Sequence, residues 1–166
     1  READPAARHA LKKNIVWSRL LRLSLVEWTQ PVVTRRLLEL SGETIPAGVV
    51  AAFQSIARVA EFRQRYLQQR MAETIATLSA AGIPVVLLKG AGLASEMYES
   101  FLDRPMQDID LLVRRDQADA AFELLLREGW VRRLGPASDA TYAQTHHRPP
   151  LIDARAPTLR LGLEVH

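Results

Sequence analysis

The sequence predicts an α+β fold, with a helical N-terminal region over residues 1–82 and a small α/β domain on a mixed sheet over residues 83–166. Three observations predict it. The first part is rich in Ala, Gln, Arg, Leu and Glu, with apolar residues near helical spacing. After Gly82 the pattern changes to short β-branched runs alternating with helical segments. From Arg148 onward, two strand-like arms flank a turn-like ARAPT.

Taken in order, residues 6–40 read as helical, with Leu11, Ile15, Leu20, Leu21 and Leu25 near helical spacing and Lys12, Lys13, Arg19 and Arg22 elsewhere on the surface. Pro31 fits the first turn of a second short helix ending at Leu40, before Ser41-Gly42. SGETIP is a linker. Residues 47–81 form two helices or one long one, stopped by Gly82. IPVVLL then reads as a buried strand, Gly90 to Glu99 as a helix, and FLDRPMQ as a loop. DIDLLV is a second strand, Gln117 to Glu128 an amphipathic helix ending at Gly129, and Trp130 to Leu134 a third strand. RPPLIDA and TLRLGLEVH are the arms of a hairpin. Trp17 and Trp28, 11 residues apart, stand near three helical turns and could share a face, buried in the core by default, with a partner surface the alternative.

Composition narrows the class. Of the 166 residues, 48% are hydrophobic and 25% charged, which is ordinary for a soluble globular chain. The net charge is only +3, and no run of five like charges suggests a nucleic-acid tail. Arg63, Arg65 and Arg70 read as scattered on a solvated helix face, so nucleic acid is not the expected partner. The absence of cysteine excludes a disulfide scaffold and a thiolate metal site, and fits a reducing cytoplasm. No membrane span is expected. READP without an initiator Met, and a strand that stops at LGLEVH, read as cuts in a longer protein, with a C-terminal substrate region missing.

The chemistry concentrates in three segments. In RPMQDIDLLV, strand alternation sends Asp108 and Asp110 to one side and Ile109, Leu111 and Val113 to the other. Two like charges on one face repel, and a hard divalent cation would offset that repulsion. The alternative is a pair of solvated acids at an exposed strand start. In LRLGLEVH, Glu164 shares a face with Gly162, opposite Leu161 and Leu163, and a neighbouring strand could bring it beside the aspartates. In VVLLKGAGLASEMY, a strand runs into Lys89-Gly90 and then a helix. Free amides and the positive dipole end make such a turn an anion site, with Lys89 a compact charge for phosphate. It is neither a G-x-x-x-x-G-K-[ST] loop nor a G-x-G-x-x-G fingerprint, and a tight turn with Lys89 reaching to water is the other reading.

Together, in this order, these segments resemble the DNA polymerase β-type nucleotidyltransferase superfamily, and more narrowly the family of bacterial uncharacterised nucleotidyltransferases. The resemblance covers roughly residues 75–166. It implies a nucleotidyltransferase-like α/β domain that moves an NMP from an NTP, with ATP the favoured donor, to an unknown acceptor, which could be a small molecule, a peptide or a protein, releasing pyrophosphate. It implies Mg²⁺ or Mn²⁺ held by Asp108, Asp110 and Glu164, which are also the catalytic residues. Lys89, Gly90 and Arg104 would hold the triphosphate. For Arg104 a surface pair with Asp103 or Glu99 stays open. The superfamily's Gly-Ser turn is absent, and Lys89 stands in its place. His146, His147 and His166 could be ligands or acid–base groups, with solvation or local hydrogen bonding the other reading for the paired histidines, and no role beyond lining the site is assigned. A catalytically degenerate binding or regulatory module is the alternative.

Overall fold

The computed structural model of the chain describes residues 9, 14–40, 45–133 and 148–166. The predicted stops at Ser41-Gly42, the segment after Leu134, and His146 and His147 lie outside them. The chain divides into two compact units, Arg1–Phe62 and Arg63–His166. Among the described residues no helix is long and apolar enough to cross a membrane.

In the first unit, α1 spans Trp17–Val26 and α2 spans Gln30–Glu39, with Pro31 in the first turn of α2 as its fixed φ and missing N–H favour. Trp28 lies between the helices with φ +56°, in the left-handed region. The helical spacing expected to carry both Trp17 and Trp28 is therefore interrupted before Trp28. Leu37, Leu40 and Phe53 are buried here, and the Thr34 hydroxyl donates to the Phe53 carbonyl at 3.5 Å.

Residues Ala47–Ala80 form one continuous 34-residue helix, α3, and the boundary between the units falls inside it. The stop is the predicted one. Gly82 adopts φ +71°, and the Ile83 amide donates back to the Leu78 carbonyl at 2.9 Å. This satisfies a carbonyl that has no partner within the helix.

The second unit is an α+β assembly on a five-stranded mixed sheet. Its elements are β1 (Val85–Leu87), α4 (Lys89–Glu96), β2 (Asp108–Val113), α5 (Ala118–Arg127), β3 (Trp130–Arg132), β4 (Leu151–Asp153) and β5 (Gly162–Val165). The strand order is β1-β2-β5-β4-β3. Only β2 and β5 run parallel; the other neighbours are antiparallel. The predicted C-terminal hairpin is β4–β5, and its return passes through Arg160 at φ +49°. Helix α4 begins one residue earlier than predicted and ends at Glu96, short of the expected Glu99.

Strand alternation gives the sheet two unlike faces. Ile109, Leu111, Leu151, Leu163, Val165 and Trp130 are buried in one core with Leu67, Met71 and Leu78 of α3 and Phe122 and Leu125 of α5. The opposite face carries Val86 and Leu112, 57% and 42% exposed, together with Asp108, Asp110, Gly162 and Glu164. Every candidate acid therefore stands on the less covered side.

A polar clamp lies within the buried layer. Arg70 and Asp153 are 3% and 1% exposed, and Arg70 Nε donates to Asp153 Oδ2 at 2.9 Å. The Tyr66 hydroxyl donates to the same oxygen at 2.6 Å, and the Arg155 amide donates to Oδ1 at 3.1 Å. The Arg70 guanidinium also stacks over Trp130, 4.9 Å from the ring centroid, and donates to Glu73. Arg70 is thus not on a solvated face as expected. Its charge enters the core because Asp153, on a strand distant in sequence, supplies the counter-charge that burial requires. Arg65 is exposed and Arg63 half-buried. Burial holds the Arg63 pKa below the usual arginine value.

Candidate functional site

The site is assembled by strand register. In the parallel β2–β5 ladder, Asp110 lies opposite Glu164 and Asp108 opposite Gly162. A residue with a side chain at 162 would crowd Asp108, because a Cβ there would lie 3.3 Å from the Asp108 Cβ. Glycine at this position leaves room for the Asp108 side chain on that face.

After Glu164 the β5 ladder continues one residue past the strand proper. The His166 amide donates to the Leu111 carbonyl at 2.8 Å, and the Val113 amide donates to the His166 carbonyl at 3.1 Å. His166 is therefore fixed by its backbone, two residues beyond Glu164 and on the same face. Its Nε2 lies 2.9 Å from Asp110 Oδ1 and 3.7 Å from Glu164 Oε2. Among the described residues, Asp110, Glu164 and His166 form a group whose ligand atoms all lie within 4.8 Å of one another.

The Lys-Gly turn approaches from the other side. The Leu88 amide donates to the Asp110 carbonyl at 2.9 Å, extending the β1–β2 ladder by one residue. The chain then turns at Lys89 with φ +46°, a left-handed conformation disfavoured for a residue with a Cβ. This brings Lys89 Nζ to 2.6 Å from Asp110 Oδ1. The hydrogen bond to Asp110, reinforced by the charges of Asp110, Glu164 and Asp108, outweighs desolvation and raises the ammonium pKa above the usual lysine value. The Lys89 side chain is 61% exposed and that of Asp110 6% exposed. The lysine therefore closes the site from its solvent side.

The two glycines of the turn do different things. A Cβ on Gly92 would lie 2.8 Å from the Leu87 carbonyl oxygen, so only glycine lets α4 start this close to β1. A Cβ on Gly90 would meet Met106 Sδ at 2.7 Å, with Arg104 Nη2 at 3.8 Å. Met106 is in turn held by its carbonyl, which accepts from Gln64 Nε2 at 2.8 Å in a buried hydrogen bond. Arg104 thus lies beside the helix start, half-buried, with its Nε buried and unbonded.

The structure brings Lys89, Asp110 and Glu164 together, and Gly90 and Arg104 adjoin them at the start of α4. Asp108 shares the face but is exposed, and it stands outside the three-residue group. His166, assigned nothing beyond lining the site from the sequence, joins Asp110 and Glu164 in the group. Its phase relative to Glu164 in LEVH was the available signal.

The family model for "Uncharacterised nucleotidyltransferase" matches residues 13–166. The chain belongs to that family. The match reaches far beyond residue 75, so α1 and α2 lie within the family region of this nucleotidyltransferase-family chain. Neither the curated proteins nor the solved structures contain a significant match to it.

The donor set suits a divalent ion. Two carboxylates and an imidazole face one another across distances that a single ion with bonds of about 2.0–2.6 Å can span. The adjoining helix start offers amides for anionic oxygens. A candidate metal set and a candidate anion site thus adjoin on one sheet face.

Proposed function

We propose that this chain is a metal-dependent nucleotidyltransferase in which an acceptor hydroxyl attacks the α-phosphate of a nucleoside triphosphate, ATP by preference, and pyrophosphate leaves. The observation that carries this reading is the β2–β5 register, which sets Asp110 beside Glu164 directly below the Lys89 turn.

In this reading Asp110 and Glu164 hold Mg²⁺ or Mn²⁺, with Asp108 on the same face for a second ion or its water shell. The bound metal supplies charge neutralisation of the attacking and leaving oxygens. Asp110 is fixed by its place in the sheet. Glu164, 38% exposed at its side chain, is the carboxylate accessible to an acceptor and takes the hydroxyl proton directly or through water. The amides at Gly90–Gly92 and the Arg104 guanidinium orient the β- and γ-phosphates. Lys89 leaves Asp110 to neutralise the departing pyrophosphate.

Calorimetric titration with Mg²⁺–ATP tests the reading. Binding is expected for the wild-type chain and should be abolished by Asp108→Ala combined with Asp110→Ala. Unchanged binding in the double variant would sink the proposal. Nucleotide or protein binding without metal dependence, and with no pyrophosphate release for any acceptor, would instead favour the degenerate binding module.

A further inference from the structure

We propose that His166 is a metal ligand, so that one ion is held by a carboxylate–carboxylate–imidazole set of Asp110, Glu164 and His166 rather than by carboxylates alone. The inference rests on the metal-dependent reading above and extends it to ligand identity and metal preference.

Geometry carries it. Around a six-coordinate ion with bonds of about 2.1 Å, neighbouring ligand atoms stand roughly 3.0 Å apart, and opposite ones about 4.2 Å. His166 Nε2 lies 2.9 Å from Asp110 Oδ1 and 3.7 Å from Glu164 Oε2, and no ligand pair of the trio exceeds 4.8 Å. Both separations from His166 Nε2 fall between or near those two values. The imidazole is 11% exposed and its backbone is locked by hydrogen bonds to Leu111 and Val113 on β2, so the ring is presented rather than free to wander. Asp108 is the acid that the D-x-D spacing would place in the set, yet it is exposed and outside the trio. Lys89 Nζ stands 2.6 Å from the same Asp110 oxygen, so a cation already occupies the coordination space.

An imidazole nitrogen changes the preference of the site. Mg²⁺ favours oxygen ligands and dehydrates reluctantly, whereas Mn²⁺ and later transition ions accept nitrogen readily. Replacing His166 should therefore weaken Mn²⁺ more than Mg²⁺.

The test uses the full chain loaded with Mn²⁺, without nucleotide, and reads ¹⁴N couplings by pulsed electron paramagnetic resonance. The chain has four histidines, His9, His146, His147 and His166. A variant with the first three changed to Gln retains His166 alone, and a directly bound imidazole nitrogen should still be seen. His166→Gln should abolish that coupling and weaken Mn²⁺ about tenfold or more, with the Mn²⁺/Mg²⁺ affinity ratio falling. Bound Mn²⁺ without ¹⁴N coupling in the triple variant would overturn the proposal and make His166 a hydrogen-bond donor that orients Asp110. That result would leave nucleotidyl transfer standing. A coupling present in a chain that binds no nucleotide would uphold the ligand set and sink the transferase reading. If His166→Gln fails to fold, the triple variant decides alone.

Discussion

Lys89 Nζ and His166 Nε2 converge on a single oxygen, Asp110 Oδ1, from distances of 2.6 and 2.9 Å. The lysine comes from the turn after β1 and the histidine from the end of β5, so two edges of the site close on one buried carboxylate. An ion that binds through this oxygen meets the charge of the ammonium at close range.

Lys89→Ala should therefore act in two directions. Mn²⁺ alone should bind more tightly, because repulsion from a unit charge a few ångströms away is removed, an effect of about tenfold even at the permittivity of water. Mg²⁺–ATP should bind about tenfold more weakly, through loss of a cation for the phosphates. Calorimetry of the two ligands checks the pair of signs. Loss of both affinities together with the folded signal would mean that the lysine serves only the turn.

The two turn glycines should differ in thermal stability. Gly92→Ala drives a methyl into the fixed Leu87 carbonyl at 2.8 Å, and should destabilise by about 1–3 kcal/mol. Gly90→Ala meets the end of a flexible Met106 side chain and should cost less. Equal melting temperatures for the two variants would contradict this.

The Arg70–Asp153 clamp should dominate the stability of the second unit. Arg70→Met leaves Asp153 buried at 1% exposure without its main counter-charge, for an expected loss of roughly 3–5 kcal/mol in denaturant unfolding. The combined Arg70→Met and Asp153→Leu should recover part of that loss, since no charge is then left stranded.

Alkaline stability should report on Tyr66. Burial, then the hydrogen bond and charge of Asp153, push its pKa up from 10.0 to about 12. Because the folded form holds the phenol proton more tightly, the stability it contributes is full below pH 10 and is lost as pH rises towards 12. Tyr66→Phe should flatten this limb of the pH–stability profile while lowering stability at neutral pH by about 1 kcal/mol for the lost hydrogen bond. An unchanged alkaline slope would mean that Tyr66 does not titrate in that window.

Local signals were legible in the sequence where a residue's own chemistry decides its conformation. Gly82 and Gly129 take φ +71° and +88° at two of the predicted helix stops, and DIDLLV spans β2 as read. What the sequence could not show depends on distant partners. Arg70 reads as a surface residue until Asp153, 83 positions away, is brought against it. His166 shares the period-2 phase of Glu164 in LEVH, but what it meets depends on β5 inserting between β2 and β4. Lys89 was legible as a cation at a helix start. That it faces a carboxylate follows from the backbone reversal at φ +46°, which no side-chain pattern encodes.

That reversal makes the site a place where stability and activity are set against each other. Glycine would occupy the left-handed position without strain, whereas lysine there carries about 1–2 kcal/mol of conformational penalty. Selection for a more stable variant would thus tend to remove the group that guards Asp110. Lys89→Gly should be less strained than Lys89→Ala and no better at binding triphosphate.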